Sequence, residues 1–445
     1  YEMLRSLVGS EMCIRDRTWR GQRTINLNKH MTEGMRFRNK LAYDLIRGIP
    51  QMVGLRTQFV HLYVKDNTEE SDGKFEDYGI YTQVEQLNKT ALKSHGLDSN
   101  GQLYKINSFE FYRYEDIIKK EDDAGYDKTA FEKMLEIKGD SDHTKLIDML
   151  TDLNDYSIGI EDVLKEHFDE ENIVYWMAFQ ILMGNVDTQN RNVYLYSPLN
   201  SDIWYFIAWD NDGCLMRSEY ELKNFSDQGS WEKGISNYWG NVLFQRCLKS
   251  RSFREKLNDA ILELREYLNK DMLISKIESY KNVLKPYLYS MPDAEYEPLT
   301  SEQYDQIVAS LPDEIEKNYK LYLESLETPM PFYIGVPTID GNKLKFNWDV
   351  SYDLDAEDIT YSVEVARDYL FQDVIYHNTT LTVPETEMDL PEAGQYFVRI
   401  RATNTSGKTQ DAFDYYVTDE GKHYGMKCFY ITEDSTVEED NYEEG

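Results

Sequence analysis

Residues 169–184 read DEENIVYWMAFQILMG. Asp169 is an N-cap residue, an acidic first turn follows, and Gly184 closes the run. Between those ends the helix is apolar nearly all round. A helix without a polar face has to be enclosed on every side. The chain must therefore supply enough strands and helices to surround it, which makes an α+β domain the expectation. At 445 residues the chain is long enough for that domain and for a second.

The enclosing elements are readable on both sides. Downstream, NVYLYS and IWYFIAWD are two short strands joined by PLNSD, and residues 241–325 carry helical periodicity in three long stretches. Upstream, RFRNKLAYDLIRGI places Leu41, Leu45 and Ile49 at helical spacing. TQFVHLYVKD and YGIYTQVEQL alternate as strands around an acidic loop, a hairpin with a long turn. KTALKSHGL is a short helix ending at Gly96, and GQLYKIN is a third strand of the same small sheet. Residues 108–183 are mostly helical.

The pattern changes at ETPMPFYIGVP, residues 327–337, where three prolines in eleven residues mark a linker. Beyond it KLKFNWDV, ITYSVEVARD, TLTVPE and GQYFVRIRATN are strands separated by turns, as in a β-sandwich over residues 338–432. Trp348 and the run YFVRIRATNTSG are similar to a fibronectin type III or immunoglobulin-like domain, with Trp348 and Tyr396 expected in its core. Residues 433–445, EDSTVEEDNYEEG, are expected to be an acidic disordered tail. At the other end, YEMLRSLVGSEMCIRDR lacks the order of a signal peptide. Residues 1–17 resemble translated sequencing-adapter read-through, so they are expected to carry no functional residue, and the true N-terminus with any targeting signal is expected to be missing.

Charge narrows the function. The formal net charge is −33, which opposes nucleic-acid binding because that binding relies on basic residues. No apolar run is long enough to span a bilayer. The four cysteines, Cys13, Cys214, Cys247 and Cys428, form no CxxC pair and no zinc spacing.

The chemistry concentrates after the apolar helix. In GNVDTQNRNVYLY, four residues separate Asp187 from Asn192, and WYFIAWDND ends a strand on Asp210 and Asp212. Phosphoryl transfer from ATP needs a carboxylate to orient the acceptor hydroxyl, hard oxygen ligands for magnesium, and a Lys against the phosphates. Protein kinases space the first carboxylate and a metal-binding Asn in the same way, with the metal Asp a strand later. DNDG does not match a calcium loop, since its Gly comes too early and no Glu stands at the twelfth position. G-x-G-x-x-G and Walker A motifs are absent, so an ordinary protein kinase or P-loop enzyme is excluded. Lys105 in LYKIN is placed on the small N-terminal sheet, where a phosphate-pairing Lys belongs, and Glu85 on the hairpin is its candidate partner. The spacing alone is weak, and a capping Asp with a turn Asn would produce it too.

Together RNKLAYDLIR, FVHLYVKD, YGIYTQVEQLNK, GQLYK, GNVDTQNRNVYLY and WYFIAWDND, in that order, resemble the CotH (spore coat protein H) family of atypical kinases. The resemblance covers roughly residues 18–325. It implies a minimal protein-kinase-like domain over 18–326, with an N-lobe of about 18–107 and a C-lobe of about 108–326. It implies ATP with magnesium, or manganese in its place, and transfer to Ser or Thr of a coat or surface protein. Asp187 would be the catalytic carboxylate, Asp210 the main metal ligand, and Asn192 and Asp212 its helpers. Lys105, Glu85 and Asn192 would serve the nucleotide. Where many members carry a basic residue or His after the Asp, this chain has Thr188. The accessory β-domain fits a secreted, cell-surface or spore-coat location. Two rivals remain: an inactive kinase-like adhesion protein binding a partner or glycan through its β-sandwich, and a glycan-active enzyme using two carboxylates. Magnesium-dependent ATP binding separates them from the kinase.

Overall fold

The computed structural model describes residues 11–13, 18–66, 68, 73–225 and 228–439. They pack as two compact units. The described residues up to Lys223, with Asn241–Asn318, make the first; Asn224–Gly240 and the residues from Tyr319 onward make the second.

The first unit is α+β and holds two antiparallel sheets. Strand β1 (Glu11–Cys13) pairs β2 (Thr24–Asn28) at one edge. After helix α1 (Arg38–Ile46), β3 (Thr57–Lys65) and β4 (Phe75–Glu85) form the expected hairpin, and the sheet order is β1-β2-β4-β3. Helix α2 (Lys89–Ser94) leads to β5 (Gln102–Ile106). This strand does not join the hairpin's sheet. It pairs β6 (Leu135–Ile137) on one side and β7 (Val193–Ser197) on the other, with β8 (Tyr205–Ala208) beyond β7. The reason lies in its burial. Gln102, Leu103, Tyr104 and Ile106 are all buried, which suits an interior strand covered on both faces. Of the segment excluded as read-through, Glu11–Cys13 is an edge strand, and residues 1–10 and 14–17 lie outside the described residues.

Helices α3 (Lys128–Met134), α4 (Thr144–Asn154) and α5 (Ile160–His167) precede the apolar helix α6 (Glu170–Met183). Asp169 caps α6 by accepting from the Asn172 N–H at 2.9 Å. Its Trp176, Met177, Ala178 and Phe179 are fully enclosed, and Trp176 stacks on Phe244 at 5.6 Å. Each of the larger ones, such as Met177 and Phe179, contributes roughly 1.5–3 kcal/mol. Asn172 fastens α6 to β8 by exchanging bonds with the Phe206 backbone, at 2.7 and 3.2 Å. Gly184 ends the helix at φ 62, and a Cβ there would stand 2.6 Å from the Asn318 side chain. Only glycine meets both conditions. Helices α7 (Arg217–Lys223), α8 (Val242–Lys249), α9 (Arg251–Tyr267), α10 (Lys270–Leu288) and α11 (Ser301–Glu327) follow. Among the described residues no helix is long and apolar enough to cross a membrane.

The second unit is all-β apart from its helical entry. Strands β9 (Thr338–Asp340), β10 (Lys343–Asn347) and β13 (Glu385–Asp389) make one sheet. The larger sheet runs β12 (Val374–Leu381), β11 (Ile359–Ala366), β14 (Gly394–Asn404), β18 (Met426–Ile431) and β19 (Val437–Glu439), with β15 (Thr409–Asp411) beside β14, while β16 (Tyr415–Thr418) and β17 (Gly421–Tyr424) pair separately. Their shared core contains Phe346, Trp348, Tyr361, Tyr396, Val398 and Phe429. Two expectations change here. The proline-rich segment is not a free tether, because Phe332 and Ile334 are buried in the same core. The acidic end contributes β19, where Val437 pairs Ile431; residues 440–445 lie outside the described residues. Trp231 from the 224–240 excursion packs on Phe413 at 5.1 Å.

Candidate active site

The turn after α6 is built to present Asp187. Asn185 donates to the Gln180 side chain at 3.1 Å, and buried Thr188 donates to the Asn185 carbonyl at 3.1 Å. Thr188 thus closes the loop from within. Asn190 donates to Glu110 at 2.6 Å, and Asn241 donates to the Gln189 carbonyl at 2.8 Å, so the loop is braced from two sides. Asn192 adopts φ 58, a left-handed conformation that Asn tolerates better than most residues. That turn lets its amide donate twice to Asp187, to Oδ2 at 2.7 Å and to the backbone carbonyl at 3.1 Å. Arg191 Nε lies 3.2 Å from Asp187 Oδ1.

Strand β8 delivers the second acidic group. Asp210 has φ 45, an uncommon conformation for a non-glycine residue and a mark of a constrained site. Two side chains that the sequence did not single out hold Asp210, and a third holds Asp212. The Asp210 N–H donates to the Tyr43 hydroxyl at 3.1 Å, and the Asn39 amide donates to Asp210 Oδ1 at 3.3 Å. Asn39 also accepts from the Asn211 N–H at 3.1 Å. Buried His30 pairs Nδ1 with Asp212 Oδ2 at 3.4 Å. Sequence reasoning treats α1 only as an amphipathic helix and misses these groups. A signal was present: Asn39 and Tyr43 stand four apart, on one helical face, among residues otherwise chosen for the core.

The carboxylates sense one another. Burial pushes Asp210 up to about 6; Asp212 and Asp187 add to the rise, and the charges of His30 and Lys105 oppose it. Surrounding protein also raises Asp187, although its side chain is half exposed; Arg191 and the Asn192 hydrogen bond oppose the rise, and Asp212 adds to it. For Asp212, burial acts upward but is outweighed by the hydrogen bond and charge of His30 and by backbone N–H groups, so it lies below the usual carboxylate range. Among the described residues no three His, Cys, Asp or Glu side chains gather closely enough to hold a metal ion. Asp187 therefore does not join Asp210 and Asp212 in a ready-made cluster. The candidate donor set fits a hard cation by its chemistry: Asp210 and Asp212 are carboxylates, Asn192 supplies an amide oxygen, and a divalent ion would offset both the burial and the added repulsion that lift Asp210.

Lys105 and Glu85 part company. The β5–β7 register sets Lys105 opposite Tyr194, beside the strand that leaves Asn192, and its charge acts on Asp210. Glu85 is committed elsewhere. It is fully buried, ion-paired to Arg56 at 2.8 Å and bonded to His95 at 2.8 Å. The expected Lys105–Glu85 pair is replaced by this network because the two strands belong to different sheets.

Known proteins share much of this chain. A family model described as CotH kinase protein matches residues 9–322. Inner spore coat protein H of Bacillus subtilis (strain 168) is 23% identical over 295 residues, covering 65% of this chain and 69% of that protein. Among solved structures, the Helicobacter pylori proinflammatory kinase CtkA aligns over 68% of this chain and 90% of its own, with 11% identity and a TM-score of 0.33. The HipA–HipB–operator DNA complex of Shewanella oneidensis MR-1 aligns over 68% of this chain and 58% of the matched chain, with 11% identity and a TM-score of 0.26.

Proposed function

The chain belongs to the CotH kinase family, and from that premise we propose that it transfers the γ-phosphoryl group of ATP to Ser or Thr of a coat or surface protein. The observation that carries the reading is the Asp187–Asn192 pair, set one short hairpin before Asp210, which burial and the charge of Asp212 raise, and Asp212, which His30 holds below the usual range. Such crowding of acids is costly unless a cation belongs with them. Asp210, Asp212 and Asn192 would hold magnesium or manganese, which supplies charge neutralisation to the phosphates. Asp187 orients the acceptor hydroxyl and takes its proton. Lys105 offsets phosphate charge. His30 and Asn39 position the two acids and do not touch substrate.

The second unit is read as a fibronectin type III-like accessory module. Tyr396 supports this, since its hydroxyl donates to the Glu392 carbonyl at 2.8 Å, a corner contact typical of such sandwiches. A place in a spore coat or at the cell surface follows the B. subtilis relative, whose name assigns it to the inner coat. Calorimetric titration with ATP tests the reading. Binding is expected with magnesium and not without it, and Asp210→Asn is expected to weaken it at least about tenfold, some 1.4 kcal/mol. ATP binding indifferent to metal, or none at all, would favour the adhesion alternative.

A further inference from the structure

Both oxygens of Asp187 are engaged. Oδ1 meets Arg191 Nε at 3.2 Å and Oδ2 takes the Asn192 amide at 2.7 Å. An acceptor hydroxyl can take a remaining lone pair of either oxygen, and its approach is most open where one partner gives way. The Asn192 contact is the harder to remove, because the same amide also donates to the Asp187 carbonyl at 3.1 Å and is held by a left-handed backbone. The Arg191 contact is a single ion pair whose side chains are 49% and 48% exposed, and water competes well for such pairs. Arg191 is the more easily displaced of the two partners.

Its destination follows from charge. Asp187, Asp210 and Asp212 sense one another's charge and a triphosphate adds further negative charge, against which Lys105 is a single ammonium. A guanidinium binds phosphoryl oxygens through two parallel hydrogen bonds, which a carboxylate approached by Nε alone does not exploit. We propose that Arg191 is a catalytic residue with two positions, capping Asp187 before the acceptor arrives and bonding the transferred phosphoryl group during transfer. The proposal rests on the kinase reading. In the step, the acceptor oxygen–phosphorus bond forms, the bond from phosphorus to ADP breaks, the acceptor proton passes to Asp187, and Arg191 contributes charge and no atoms.

The full chain is compared with Arg191→Ala and Arg191→Lys. ADP with magnesium is titrated alone and then with fluoroaluminate, which imitates the phosphoryl group in flight. ADP affinity is expected to agree within about threefold across the three proteins, as for a contact made only in the transition state. Fluoroaluminate is expected to tighten ADP binding in the wild type, not in Arg191→Ala, and partly in Arg191→Lys, which keeps the charge and loses the fork. Turnover is expected to fall on the order of 10³-fold in Arg191→Ala with the KM for ATP unchanged. Equal tightening in Arg191→Ala would overturn the inference, as would a variant that raises only the acceptor KM, which would give the guanidinium to the acceptor. A wild type that binds no ADP would instead sink the kinase reading. Matching urea midpoints for the three proteins exclude misfolding as the cause.

Discussion

Arg38→Met would remove the cation at the centre of a buried acidic cluster. Arg38 is fully buried at the start of α1. Its guanidinium lies 3.0 Å from Glu33 and 2.6 Å from Glu219, and its Nε donates to the Leu215 carbonyl at 3.0 Å. Burial drives Glu33 up to about 7 even with Arg38 and His30 opposing; Glu219 and Asp212 add to the rise. Glu219 is lowered, because Arg38 and Lys223 together outweigh the upward push of its burial. Breaking one side of a buried ion pair costs about 3–5 kcal/mol. That is a large share of the roughly 5–15 kcal/mol that holds a domain folded. The loss depends on pH with a definite sign. Glu33 binds its proton more tightly in the folded state, so its contribution is present at low pH and is lost as pH rises through about 7. Without Arg38 that folded affinity climbs further. At pH 8 the full loss is expected. At pH 5.5 Glu33 is already protonated, and only the Glu219 pair and the Leu215 contact are missed, roughly 2–3 kcal/mol. Urea unfolding at the two pH values, with m compared, reads this directly. A loss under about 1 kcal/mol, or a larger loss at pH 5.5 than at pH 8, would refute the reasoning. Since Leu215 stands three residues beyond Asp212, the variant should also bind magnesium–ATP more weakly.

The metal-free protein is expected to be more stable at pH 5.5 than at 7.5. Glu33 and Glu297 are both raised from 4.5 to about 7 by burial, which makes each worth about 2 kcal/mol over that interval. A flat or rising stability profile by thermal scan would contradict those assignments, and magnesium should narrow the gap by favouring ionised Asp210. Trp231→Ala is expected to cost the second unit about 3–5 kcal/mol, since Trp231 is 7% exposed and packs on Phe413 and Tyr424. Two unfolding transitions, one moved by Trp231→Ala and the other by Arg38→Met, are the expected outcome.

Much of the fold is legible in the sequence. The apolar period around Trp176 demanded a central helix, and the alternation of Thr57–Lys65 and Phe75–Glu85 demanded a hairpin; both depend on local pattern alone. The alternation of Tyr396, Val398, Ile400 and Ala402 likewise marked a half-buried strand. Strand β5 was misplaced because a five-residue run carries no record of which sheet it joins. Its neighbours, Leu135–Ile137 and Val193–Ser197, lie far along the chain. Glu85 went with it. An acid's partner is set by tertiary approach, and here Arg56 and His95 arrive first. At the candidate site, spacing singled out Asp187, Asn192, Asp210 and Asp212, of which the structure bonds Asn192 to Asp187. Asn39 and Tyr43 on α1, and His30 in the loop before it, were hidden because their roles depend on contacts with residues about 170–180 positions later in the chain.

The central claim is phosphoryl transfer by Asp187 beside a metal held at Asp210, and transfer itself is its sharpest test. Wild type, Asp187→Asn and Asp210→Asn are incubated with γ-labelled ATP, magnesium and a Ser-rich acceptor, and label on the acceptor is counted. Wild type is expected to label the acceptor only with metal present. Asp187→Asn is expected to bind ATP like wild type yet transfer at least about 10²-fold more slowly. Asp210→Asn is expected to lose both binding and transfer. Transfer by Asp187→Asn at the wild-type rate would contradict the mechanism.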